Sequence, residues 1–131
     1  LVSDWSSDVC SSDLVMATIY ASLAFKYRQR LDELVRASGQ AVDRVHIIGG
    51  GSQNALLCQM TANATNRPVY AGPVEATALG NAIVQLMALG ELGTQNEARA
   101  LLAESMVTHI YEPRDAARWN EEYERFIALT N

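Results

Sequence analysis

Apolar residues recur along this chain in two periods, and their order predicts helices interleaved with short strands. Met16, Ile19, Tyr20, Leu23, Tyr27, Leu31, Leu34 and Val35 fall at helical spacing with charges between them, so residues 15–38 are expected to form one long amphipathic helix that stops at Gly39. The β-branched run at 44–48 reads as a buried strand, and residues 54–65 read as a helix that turns Leu56, Leu57, Met60 and Ala64 inward. Residues 68–71 read as a second short strand, entered through Pro68 because a strand's first residue tolerates a missing N–H.

Residues 75–89 carry the cleanest stripe. Leu79, Ala82, Ile83, Leu86 and Met87 are spaced as on a core-facing helix, with Pro73 ahead of it and Glu75 in the first turn, where a carboxylate complements the dipole. Gly80 interrupts the pattern, since an interior helix glycine costs about 1 kcal/mol relative to Ala. Close packing of this helix on a neighbour is the favoured reason for it, and room for a ligand is the other. Further on, 97–103 suggests a short helix, 106–111 an edge strand, and 116–129 a last helix whose Trp119, Tyr123, Phe126 and Ile127 form a packing face. Glu121 with Arg125 and Arg118 with Glu122 are spaced as surface ion pairs, each contributing a few tenths of a kcal/mol.

Residues 1–14 follow neither period. They repeat Ser-Ser-Asp and lack the basic start and apolar stretch of a signal peptide. The stretch resembles a translated sequencing adapter, so it is expected to be a non-native polar head that contributes nothing to the fold; a genuine polar loop is the alternative. On the first reading Trp5 and Cys10 carry no functional meaning.

At 131 residues with 49% apolar side chains, the chain has room for one domain with one core. A net charge of −5 without a basic cluster gives no support to binding of nucleic acid or an anionic membrane surface. No apolar run approaches the roughly 20 residues of a membrane span. The two cysteines lie far apart without metal-ligand spacing, so no metal site is expected and a reducing cytoplasm suits the chain.

The candidate chemistry sits at Val45-His46-Ile47-Ile48-Gly49-Gly50-Gly51-Ser52-Gln53-Asn54, where a strand ends in three glycines and opens directly into helix-forming sequence. Lacking Cβ atoms, the glycines can adopt positive φ and let a ligand touch the backbone. The helix start then offers N–H groups and partial positive charge to phosphate or to a ligand's polar edges. A tight turn with no ligand satisfies the same pattern. Spacing excludes two other glycine motifs. No Lys-Ser/Thr pair follows the last glycine, as a P-loop requires. The dinucleotide fingerprint needs Gly at Asn54 and an acidic residue where Val69-Tyr70-Ala71-Gly72 stands.

Asn54 offers a donor and an acceptor, while Ser52 and Gln53 are placed to cap the helix or to meet an adenine, with capping favoured. His46, His109, Asp43, Glu75 and Asp115 are too isolated for an acid/base pair or a nucleophilic triad, so no catalytic residue is expected within the chain.

Three segments carry a resemblance. Ile19-Tyr20-Ala21-Ser22-Leu23-Ala24, then His46 to Leu57 across the glycine triplet, then Ala71-Gly72-Pro73-Val74-Glu75-Ala76-Thr77-Ala78-Leu79-Gly80-Asn81 occur in the order and spacing of the FGGY family of carbohydrate kinases. From about Thr18 to about Tyr111 the chain resembles that family's C-terminal ATP-binding domain, closest to its rhamnulokinase branch. The resemblance implies an α/β, helix-rich part of an actin-like ATPase (ribonuclease H-like) domain over 15–131, in which ATP lies in an interdomain cleft with its adenosine end on the glycine turn. It implies ATP and Mg²⁺ as cofactors, the magnesium held mainly by phosphates and upstream residues.

By the same resemblance Gly50, flanked by Gly49 and Gly51, contacts the nucleotide, and Asn54 stands where it reaches it. The substrate would be L-rhamnulose, bound by an N-terminal domain that is also this segment's intramolecular partner; the general base and the β- and γ-phosphate loops would lie there too. A xylulose, fuculose or glycerol kinase of the same family is an alternative, as is a non-catalytic nucleotide-binding or interaction module.

Overall fold

In the computed structural model, which describes residues 11–105 and 108–130, the chain forms a helix-rich α/β structure. Its order is α1 (Ser11–Ser38), β1 (Val45–Ile47), a 3-10 turn (Gly49–Gln53), α2 (Ala55–Thr65), β2 (Val69–Ala71), α3 (Ala76–Ala88), α4 (Gln95–Ser105), β3 (His109–Tyr111) and α5 (Ala116–Thr130). Every element expected from periodicity downstream of the head is present, displaced by a few residues at its ends.

The sheet runs β1-β2-β3. β1 pairs parallel to β2, with Val45 opposite Val69 and Ile47 opposite Ala71, and α2 makes the crossover that parallel strands require. β3 returns antiparallel on the other side of β2, setting Tyr111 opposite Val69 and His109 opposite Ala71. Central β2 is the buried strand. The run at 44–48, expected to be buried, is instead half-buried at Val45 and Ile47 and exposed at His46, because among the described residues β1 has a neighbour on one edge only.

Two apolar clusters meet at α2. On the sheet side Cys58, Ala62, Val69 and Ala71 are buried, with Val45, Ile47 and Tyr111 packed against them. On the helical side Ala24, Phe25 and Ala64 are buried beneath Met60, Trp119, Tyr123 and Phe126. Phe25 lies 5.4 Å from the rings of Trp119 and Phe126 and 5.8 Å from that of Tyr123, so the α5 stripe docks on it as a packing face. Arg28 stitches the same three helices. Its Nη1 donates to the Ala64 carbonyl at 3.1 Å and to Asn120 Oδ1 at 2.7 Å, and its guanidinium lies 4.1 Å over the Tyr123 ring.

The α1 face differs from the expected one. Ala24 and Phe25 are buried, while Met16, Ile19, Tyr27 and Leu34 are exposed. The closest approach of two helices is set by their smallest residues, and Ala24 and Ala64, both fully buried, let α1 and α2 come together where larger side chains would hold them apart. α3 departs further. None of its residues is buried, it makes no substantial contact with another element, and a Cβ on Gly80 would meet nothing within 4 Å, so the close packing favoured for Gly80 is absent here. Of the surface pairs, Glu121–Arg125 forms at 2.9 Å, but Glu122 pairs with Arg125 at 3.3 Å rather than with Arg118.

The expected polar head overlaps α1. Residues 1–10 lie outside the described residues, whereas 11–14 form the helix's first turn, with Asp13 complementing the dipole and the Leu14 carbonyl accepting the Thr18 hydroxyl at 2.7 Å. A helix nucleated downstream extends into neighbouring residues at little cost, which a reading of periodicity misses.

Candidate functional site

Because β1 and β2 are parallel, their carboxyl ends lie at the same edge, the place where open α/β sheets bind ligands. The chain leaves β1 through the 3-10 turn and leaves β2 through Gly72, Pro73 and Val74. The two exits are tied together: the Gly49 N–H donates to the Pro73 carbonyl at 2.9 Å, and the Gly72 N–H to the Ile47 carbonyl at 2.8 Å.

The three glycines have different reasons to be there. Of the three, Gly49 alone uses the freedom to adopt positive φ, at +74°; the 3-10 turn leaves Gly50 and Gly51 without it. A Cβ on Gly51 would stand 3.4 Å from the Ile47 side chain, and one on Gly72 would stand 3.1 Å from that of Ile48. Gly50 is under no such pressure, since its missing Cβ faces open space. The strand therefore does not open directly into an α-helix; one tight turn intervenes.

Asn54 closes that turn and starts α2. Its N–H donates to the Gly51 carbonyl at 3.2 Å, and its side-chain Oδ1 accepts the Leu57 N–H at 2.9 Å. The cap expected of Ser52 or Gln53 thus belongs to Asn54, which leaves its amide nitrogen as the group a ligand can meet. Ser52 instead donates its hydroxyl to the Gly49 carbonyl at 2.7 Å, closing the turn on itself. Beneath lies Cys58, fully buried, its sulfur 3.7 Å from the Gly51 carbonyl and 3.9 Å from that of Ser52. Burial pushes its thiol pKa up, so it stays a neutral donor to the floor of the turn.

A cavity of about 480 Å³ opens beside the turn. Ser52 and Gln53 form one wall, Ala71 to Val74 a second, and His109 with Tyr111 a third; no lining side chain is charged, counting histidine as neutral. Gly50 and Asn54 are not among its lining residues, so the expected site divides between the outer surface of the turn and this cavity. His109 stood alone in the sequence, and only the antiparallel register that sets it opposite Ala71 brings it here. His46 stays exposed, its ring 5.2 Å from that of Tyr70.

Among the described residues no three His, Cys, Asp or Glu side chains gather as a metal site. No helix among them is long and apolar enough to cross a membrane.

Residues 6–89 match the family model described as the FGGY family of carbohydrate kinases, C-terminal domain. The chain is 44% identical over 112 residues to a rhamnulokinase of Bacteroides thetaiotaomicron, covering 86% of this chain and 23% of that protein. A rhamnulokinase of Pectobacterium atrosepticum is 42% identical over 123 residues, 93% of this chain and 25% of its own length. For that of Bacillus subtilis the figures are 39% over 100 residues, 76% and 21%. The chain thus spans about a quarter of the length of the curated relatives it matches.

Proposed function

We propose that this chain, which belongs to the FGGY family of carbohydrate kinases as part of their C-terminal domain, is the nucleotide-holding segment of a rhamnulokinase. The whole enzyme would transfer the γ-phosphoryl of ATP to a hydroxyl of L-rhamnulose. A carboxylate base removes the hydroxyl proton in such a transfer, and bound Mg²⁺ offsets charge on the phosphates. The base, the sugar pocket and the β- and γ-phosphate loops are assigned to the remaining three quarters of the enzyme, as is any protein hold on magnesium. A cytoplasmic setting agrees with Cys58, a free buried thiol.

The observation that carries the reading is the bare outer face of Gly50 between two tied strand exits. Gly49 turns the backbone, Gly50 leaves its face open to the adenosine end of the nucleotide, and Gly51 keeps the turn close over Ile47. Asn54 presents its amide N–H₂ to the ligand while its oxygen caps α2. These residues bind and orient; none moves a proton.

The test is a chimera in which residues 15–131 replace the matching segment of the Bacteroides thetaiotaomicron rhamnulokinase. ATP-dependent phosphorylation of L-rhamnulose by the chimera, with no turnover by the 131-residue chain alone, is the expected outcome. Within the chimera Gly50→Val should raise the KM for ATP strongly and leave sugar binding nearly unchanged. The fold is expected to accept the valine, because Gly50 has no positive φ and a Cβ there meets nothing within 4 Å, so a ligand at that face would be the group to suffer. An unchanged KM in a folded, active chimera would make the turn purely structural.

A further inference from the structure

We propose that Ser52 and Cys58 are positioning residues, which lock the glycine turn through its carbonyls and so hold the bare face of Gly50 ready for the nucleotide. The inference rests on the nucleotide-holding role above and deepens it.

Three consecutive glycines give up more conformational freedom on ordering than other residues would. A site built on them loses affinity in proportion to the time the turn spends in other conformations. Affinity can therefore be raised by groups that fix the turn without meeting the ligand. Two side chains are placed to do this. The Ser52 hydroxyl donates to the Gly49 carbonyl at 2.7 Å. The Cys58 sulfur lies 3.7 Å from the Gly51 carbonyl and 3.9 Å from that of Ser52. The carbonyls of Gly49, Gly51 and Ser52 are thus each held by a side chain, in addition to the backbone bond from the Asn54 N–H to the Gly51 carbonyl.

The two locks differ in what else they touch. Ser52 belongs to the turn and lines the cavity beside it, so its hydroxyl stands near any ligand bound there. Cys58 stands one turn into α2, in the sheet-side core with Ala62, Val69 and Ala71. At 0% exposure it is out of a ligand's reach. Burial keeps its thiol protonated and able to donate, although sulfur makes the weaker bond of the two. A change at Cys58 can alter nucleotide binding only through the backbone it holds, and that separates positioning from contact.

The experiment is a double-mutant cycle in the chimera described above, with the KM for ATP, the KM for L-rhamnulose and kcat measured for each variant. Ser52→Ala is expected to raise the KM for ATP about two- to tenfold, the worth of one ordinary hydrogen bond, with kcat and the KM for L-rhamnulose unchanged. Cys58→Ala should act in the same direction and less strongly. The double variant should fall short of the product of the two, because a turn already released has little more to lose. Ser52→Thr, which keeps the hydroxyl, should restore the KM for ATP. In the 131-residue chain, both single variants should speed amide hydrogen exchange at Gly49 and Asn54 severalfold and leave Ala62, within α2, unchanged. A KM raised by Ser52→Ala alone would make its hydroxyl a direct ligand contact and overturn the lock. An unchanged KM in both, beside a Gly50→Val variant that raises it, would overturn the lock and leave the nucleotide role standing. If Gly50→Val leaves the KM unchanged as well, the nucleotide role falls and the lock with it. Exchange that rises equally at the turn and at Ala62 would show a general loss of stability and would overturn the lock too.

Discussion

α2 and α3 each follow a strand of the parallel pair through a glycine-containing exit, yet they end in opposite environments. α2 buries seven of its eleven residues, and α3 buries none of its thirteen. The sequence points the other way, because α3 has the regular apolar stripe whereas α2 mixes Leu57, Cys58 and Ala62 with Thr61, Asn63 and Thr65. The polar residues of α2 can be buried because each finds a hydrogen-bond partner. Thr61 donates to the Leu57 carbonyl and Thr65 to the Thr61 carbonyl, both at 2.7 Å, and Asn63 accepts from Gln59 and from the Arg114 backbone. A stripe records a face that needs cover; it does not say that the same segment of chain supplies it. In the full-length kinase proposed above, the stripe of α3 is expected to meet that cover.

The largest contrast should come from removing the ring at the centre of the helical cluster. Phe25→Ala is expected to lower the unfolding free energy by about 3–5 kcal/mol, measured by urea denaturation of the 131-residue chain. A loss below 1 kcal/mol would mean that the α1–α5 contact is not formed in solution.

Ala64→Leu should cost about 1–3 kcal/mol, because it overfills the buried cluster that Ala64 shares with Ala24 and Phe25 of α1; a neutral result would place the α1–α2 approach elsewhere. Asn54→Ala should cost about 1 kcal/mol through the lost cap, and Asn54→Ser should restore most of it. If Ser restores stability but not ATP affinity in the chimera, the cap and the ligand contact are separate duties of one side chain. Smallest of all, Ile83→Ala on α3 should stay within about 0.5 kcal/mol in this chain and be larger in the chimera. An equal, large loss in both would show that α3 is already packed, and the contrast with α2 would collapse.

The glycine turn was legible because the residues of the candidate site's frame, Gly49 to Asn54, are contiguous in the chain. Even so, which glycine needs positive φ was not, since that depends on the 3-10 geometry adopted once Pro73 receives the Gly49 N–H. His109 was set aside as isolated because its relation to the turn exists only through strand pairing across β2, which no local pattern encodes.

The sequence by itself determined the order and type of the elements, the turn, the aromatic face of α5 and the family resemblance, all of them matters of periodicity and of short-range backbone preference. The tertiary structure decided which face each helix buries, which strand lies at the centre and which residues ring the cavity. Those are questions of who lies next to whom. An apolar side chain gains the same from any cover, so burial is assigned by closest approach, as at Ala24 and Ala64, and not by the side chain's own hydrophobicity.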